Sequence, residues 1–166
     1  MERLRLEDVK VIFKNFRGEK GPYNEAGVRS FSVVIDDLKF AANLMDEGWA
    51  LKPLKNEEGD VDAYHLPVKV NYDSRQPPRI YKVSLTRQGQ LPLDQKTVDM
   101  LDYLPIDYAD VIVNPYQWEV RGESGVKAYC QTMYVVIEEN ELDVKWANMP
   151  AMAEPPVRDY PEEPPF

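Results

Sequence analysis

The chain has 166 residues, 43% of them apolar, and a formal net charge of −9. That length fits one domain with a short appendage, and the charge excludes a uniformly basic nucleic-acid binder. No run approaches the ~18 apolar residues of a membrane span, and the opening MERLRLEDVK has no apolar signal-peptide segment.

In chain order, LRLEDVKVIFKNF (4–16) alternates with period two from Val9 onward. Val9, Val11 and Phe13 then point to the core, and Lys10, Ile12, Lys14 and Phe16 to the other face. RGEKGPYNEAG is a turn-rich loop, and VRSFSVVI returns as a second strand with Phe31, Val33 and Ile35 inward. DDLKFAANLMDEGW predicts a helix capped by Asp36 or Asp37, with Leu38, Ala41, Ala42 and Met45 as its apolar face and Gly48 as its stop. ALKPLK is a short strand and NEEGDVD a polar loop. AYHLPVKVNY (63–72) is a strand in which Pro67 marks an edge or a bulge. RIYKVSLT (79–86) is another strand. LDQKTVDMLDYL (93–104) predicts a short helix with Asp94 as its cap. DVIVNPYQWEV (110–120) and VKAYCQTMYVVI (126–137) are strands around the tight turn RGESG. EENELDVKWA closes the folded part as an acidic helix near Ala147.

The expected fold is mostly β with short helices, an OB-like curved antiparallel barrel over 1–147. An α+β sandwich is the alternative. Residues 148–166, NMPAMAEPPVRDYPEEPPF, are too polar and proline-rich to bury a core and are expected to be a disordered acidic tail.

No catalytic constellation is present, so no enzyme, cofactor or metal is expected. The lone Cys130 lies on the face of Ala128 and Thr132 and reads as a buried inert thiol. The lone His65 reads as structural. The carboxylates of DVD (60–62) and EEN (138–140) leave a metal-dependent nuclease as a minor possibility.

Charge is unevenly spread. Residues 138–147 and 148–166 each carry net −3, whereas 69–87 carry +4 and 1–35 carry +2. Basic side chains thus concentrate where strands are expected, interleaved with aromatics. Single-stranded nucleic acid needs that combination, cations for phosphates and ring faces for bases. The candidate interface is Lys10, Lys14, Phe16, Arg17, Arg79, Tyr81, Lys82, Trp118, Lys127 and Tyr129, although any one of these rings also fits cross-strand packing.

The ending Glu162, Glu163, Pro164, Pro165, Phe166 resembles the C-terminal tails of bacterial and phage single-stranded-DNA-binding proteins. Phe13, Asn15, Phe16, Gly18, Asn24, Gly27, Arg29 and Phe31 resemble the opening hairpin of small tailed-phage proteins, although Arg29 also fits a structural ion pair. The resemblance implies a non-catalytic phage protein of DNA replication, recombination or repair in the cytoplasm of an infected bacterium. It also implies a tail whose Glu162, Glu163, Pro165 and Phe166 dock on replication or recombination proteins and compete with DNA for the basic groove. Only four acids occur in the tail, and Arg158 interrupts them, a sparser cluster than the bacterial pattern. Single OB modules bind weakly alone, which adds a homodimer to the expected partners; no membrane is among them. The net charge keeps a second reading open, a phage protein-interaction module or DNA mimic that works through the acidic helix and tail.

Overall fold

The computed structural model describes residues 1–150 and 152. The strands are β1 (Leu4–Val9), β2 (Val11–Asn15), β3 (Arg29–Ile35), β4 (Lys52–Lys55), β5 (Val61–Val70), β6 (Arg79–Ser84), β7 (Gly89–Leu93), β8 (Ile106–Val120) and β9 (Glu123–Ile137). Two helices, α1 (Leu38–Asp46) and α2 (Glu141–Trp146), and a 3-10 turn at Val98–Asp102 complete the order. No described helix is long and apolar enough to cross a membrane.

β1 and β2 are halves of one strand bent at Lys10, whose carbonyl accepts from the Val34 amide at 2.9 Å. The first half pairs antiparallel with β8, Leu4 opposite Val113. The second half pairs with β3, Val11 opposite Val33. β3 pairs with β5, β5 runs parallel to β9, and β9 returns antiparallel to β8. The path leaves the bent strand by one edge and comes back to it by the other, which gives the expected OB-like barrel. The curl stays partly open, because the β5–β9 seam holds only Val68 opposite Ala128 and Lys69 opposite Tyr129. Past that seam, the edge of β9 takes up β6 in parallel, and β6 takes up β7.

Alternation fills the barrel. Phe31, Val33, Leu66, Val68, Val111, Val113, Met133 and Val135 are all buried in one core. Each such side chain contributes about 1.5–3 kcal/mol when fully removed from water. Arg121 and Gly122, at φ 52° and 81°, make the tight turn between the two longest strands. Two successive left-handed residues match the twist of a hairpin. The Asp37 carboxylate caps α1 through the Lys39 and Phe40 amides, both at 3.1 Å.

Several expectations are corrected. α1 buries Ala41 and Leu44 and half-buries Met45, while Leu38 and Ala42 are exposed. The expected helix at 93–104 is a turn followed by one 3-10 segment. Asp94 accepts from the Lys96 and Thr97 amides at 2.9 and 3.0 Å, so its side chain holds a turn in place of a helix cap. β7 carries Pro92 and little alternation, and it pairs only with β6, where a missing amide is tolerated. Pro67 lies within a strand paired on both sides, in the gap where the neighbour of β5 changes from β4, ending at His65, to β9, starting at Val68.

The largest correction is in the bent strand. Asp8 and Phe13 both have positive φ, 53° and 50°, and the pairing register shifts at each. A bulge adds one residue, and one residue reverses which side chains face the core. Phe13 is therefore 64% exposed, and Phe16 is fully buried, stacked on Phe31 at 5.2 Å.

Candidate nucleic-acid interface

The outward face of β3, β5, β8 and β9 presents both rings and cations. Its registers follow from the pairing. Ser30 lies opposite Lys69, Lys69 opposite Tyr129, and Tyr129 opposite Asn114. One step along, Lys127 lies opposite Tyr116, and Trp118 opposite Gly125. A Cβ on Gly125 would come within 2.9 Å of the Trp118 ring, so the indole lies flat across the glycine. Tyr116 and Tyr129 meet edge to face at 6.0 Å. Cys130, by contrast, points inward, and burial pushes its thiol up to about 12.

Further along β9, Tyr134 stacks on Tyr81 of β6, 4.7 Å apart with planes 12° from parallel. Arg79, two residues before Tyr81, donates to the Thr132 hydroxyl at 3.4 Å. At the other end of the face, the exposed Phe13 meets His65 edge to face at 5.0 Å. His65 Nδ1 lies 2.9 Å from the Ser32 hydroxyl. Burial first, and then the Lys52 ammonium, hold this imidazole below its usual pKa, so it is neutral at pH 7.

The structure thus brings together Trp118, Lys127 and Tyr129 on the β8–β9 hairpin, with Arg79 and Tyr81 beside β9. It does not bring the other candidates there. Phe16 offers no face to solvent. Lys14 is half-buried, and its ammonium donates to the Leu101 and Leu104 carbonyls at 3.0 and 2.8 Å, closing the end of the 3-10 turn. Arg17 is held by the Tyr103 hydroxyl and by Glu19, and lies over the Tyr103 ring at 5.4 Å. Lys82 pairs with Val135 on the opposite side of β6 from Tyr81 and lines a cleft with Glu138 and Glu139. Lys10 is exposed at the bend. Arg29 is structural: it donates to the Phe16 carbonyl, pairs with Asp99 at 2.5 Å and lies over Tyr72 at 5.7 Å. Glu162, Glu163, Pro165 and Phe166 lie outside the described residues.

Three members of this face escaped sequence reasoning. Tyr116 and Lys69 follow from alternation alone, two residues from Trp118 and between the buried Val68 and Val70. Phe13 had no such signal, because only the bulge turns it outward.

An OB-like barrel that carries rings and lysines on one sheet face defines a class of proteins built to hold an extended polymer. The chain belongs to the phage ssDNA-binding domain family: the profile described as "Putative phage ssDNA-binding domain" matches residues 1–162. Solved structures of the single-stranded DNA-binding protein from bacteriophage Enc34 share the fold. Its C-terminally truncated form has a TM-score of 0.54 at 8% identity, covering 83% of this chain and 87% of that one. Its complex with ssDNA gives 0.54 and 8%, with 83% and 88% covered. A third structure of that protein gives 0.50 and 11%, with 83% and 82% covered. No curated protein sequence matches the chain.

Proposed function

We propose that this protein binds single-stranded DNA without catalysing a reaction on it, in phage DNA replication or recombination. The observation that carries the reading is the row of Tyr116, Trp118 and Tyr129 interleaved with Lys69 and Lys127 on one sheet face, in a chain of this family. Bases stack on Tyr116, Trp118, Tyr129 and the exposed Phe13, and each stacked base is worth about 1–3 kcal/mol. Phosphates run along Lys69, Arg79 and Lys127. The Tyr81–Tyr134 pair extends the track. The net charge of −9 does not oppose this, because the local potential of the face governs binding. The acidic tail recruits partner proteins through Glu162, Glu163, Pro165 and Phe166.

A second reading, a protein-interaction module, draws support from α2. Its first turn is acidic, and Leu142, Val144 and Trp146 are all exposed.

Fluorescence anisotropy of a labelled dT oligonucleotide across a salt series tests the proposal, for the full chain and for a chain ending at Ala147. Tight binding that weakens with salt supports it, and a gain on removing the tail supports the competing tail. Absence of binding by either chain at low salt refutes it and leaves the interaction module.

A further inference from the structure

Where the sheet face ends at Phe13, a hollow begins between the loop after β2 and the end of the 3-10 turn. Phe13, Tyr23 and Tyr103 stand around it, 64%, 101% and 70% exposed. Three rings left in water around one hollow mark a contact surface, because packing accounts for none of that exposure. No Leu, Ile, Val or Met lines the hollow, so its apolar surface is that of the rings and Pro22.

The loop holds Tyr23 out by its own bonds. Gly21 and Asn24 exchange backbone bonds, at 2.9 and 3.2 Å, and only Pro22 and Tyr23 lie between them. Asn24 Nδ2 donates to the Glu19 and Val28 carbonyls, both at 2.9 Å. Asn15 brackets Glu19, accepting from its amide at 2.8 Å and donating to its carbonyl at 3.0 Å. The Gly27 amide reaches the Gly18 carbonyl at 2.8 Å. Small or polar residues ordinarily fill the tip of such a turn. Tyr23, fully exposed, gives the turn nothing. A ring fixed in place before contact loses little freedom on making it.

The charges around the hollow are mostly committed. Asp102 accepts from the Phe16 and Arg17 amides at 2.8 and 2.9 Å, and Glu19 pairs with Arg17. Lys14 is held by carbonyls, and Arg17 lies on one face of the Tyr103 ring. Lys20 is exposed and has no ion pair among the described residues. What the hollow leaves for a ligand is therefore rings and an ammonium, the same chemistry as the row on the sheet. Phe13 belongs to both, which makes the two surfaces continuous.

We propose that the bound strand runs on past Phe13 into this hollow, with bases on Tyr23 and Tyr103 and a phosphate on Lys20. The inference rests on the single-stranded-DNA reading and adds to it a second binding segment, so that the footprint is longer than the sheet face.

The test is the affinity of the full chain for dT oligonucleotides of increasing length. The parent is expected to gain affinity with length until both segments are filled. Tyr23→Ala is expected to weaken the longest oligonucleotides about 5- to 150-fold, the worth of one stacked base. It should leave the shortest one that binds unchanged, since the larger set of rings on the sheet holds a short strand. Lys20→Ala is expected to lower the salt slope by about 0.7 for the long strands alone. Trp118→Ala is expected to weaken every length. Parental affinity of Tyr23→Ala and Lys20→Ala at every length overturns the inference, leaves DNA on the sheet face and gives the hollow to a protein partner. Equal losses at every length also overturn it, because the hollow would then be the first site and not a continuation. Failure of the parent to bind any length overturns the DNA reading itself, and the inference with it. Should either variant unfold, as seen by circular dichroism, the other decides alone.

Discussion

Phe13 on the bent strand and Phe16, the first residue past its end, lie on opposite sides of the barrel wall, one 64% exposed beside His65 and the other fully buried against Phe31. Substituting each tests the bulge that separates them. Phe16→Ala is expected to cost about 3–5 kcal/mol of stability, read as a lower urea midpoint. Phe13→Ala is expected to leave that midpoint nearly unchanged and to weaken oligonucleotide binding by about 1–3 kcal/mol. Reversed outcomes would place the bulge elsewhere.

Two lysines from one candidate set have separate jobs. Lys127→Ala is expected to reduce the slope of log affinity against log salt by about 0.7, one phosphate on a single strand, with the melting temperature unchanged. Lys14→Met leaves the Leu101 and Leu104 carbonyls without their ammonium donor. Hydrogen bonds from charged donors are worth about 1.5–3 kcal/mol, so thermal melting should shift downward while the salt slope stays parental.

Glu139 fastens the chain just before α2 to the β6–β7 turn. Its carboxylate accepts from the Thr86 hydroxyl and from Ser84 Oγ at 2.9 Å. The Thr86 hydroxyl first, with the Ser84 hydroxyl and nearby amides, holds its pKa below the ordinary 4.5. A carboxyl depressed in the folded state stabilises the fold above its unfolded pKa, and that contribution fades as pH falls through the folded value. Urea midpoints measured from pH 7 down past 4.5 should therefore fall less steeply for Glu139→Gln than for the parent.

Cys130 is buried, with its thiol pushed up to about 12 by desolvation. A thiolate is the reactive form. A thiol reagent at pH 8 is expected to label the folded protein at the rate of its opening, and the urea-unfolded chain at once. Rapid labelling of the folded protein would place Cys130 outside the core.

Much of the barrel was legible in the sequence because β3, β8 and β9 each bury alternate residues over part of their length, Phe31, Val33 and Ile35, Ala109, Val111 and Val113, and Val126, Ala128 and Cys130. Asp37 and Gly48 marked α1 through the chemistry of caps. What alternation could not show was a change of phase. LRLEDVKVIFKNF alternates from Val9 onward, yet the left-handed Phe13 inserts a step within that run, as Asp8 does before it, and neither is a glycine. Lys14 and Arg17 looked like phosphate ligands because a sequence records charge and not the carbonyls or rings that engage it. The β8–β9 part of the site, Trp118, Lys127 and Tyr129, was legible because the hairpin keeps one register from Val113 and Cys130 to its turn, its shifts lying nearer the other end.

The half of the bent strand that closes the barrel, β1, precedes every other described strand. Leu4 pairs with Val113, and β8 in turn needs β9, whose last residue is Ile137. Contacts so distant in sequence cost loop entropy before they return any stability, which slows folding. The β8–β9 hairpin, joined by Arg121 and Gly122, has the opposite character, since its two strands are neighbours along the chain. The β8–β9 hairpin can thus form from local contacts, whereas β1 must wait for it. Leu4–Val9 must therefore stay unpaired until β8 and β9 have left the ribosome, whereas Val11–Asn15 finds its partner in β3 soon after.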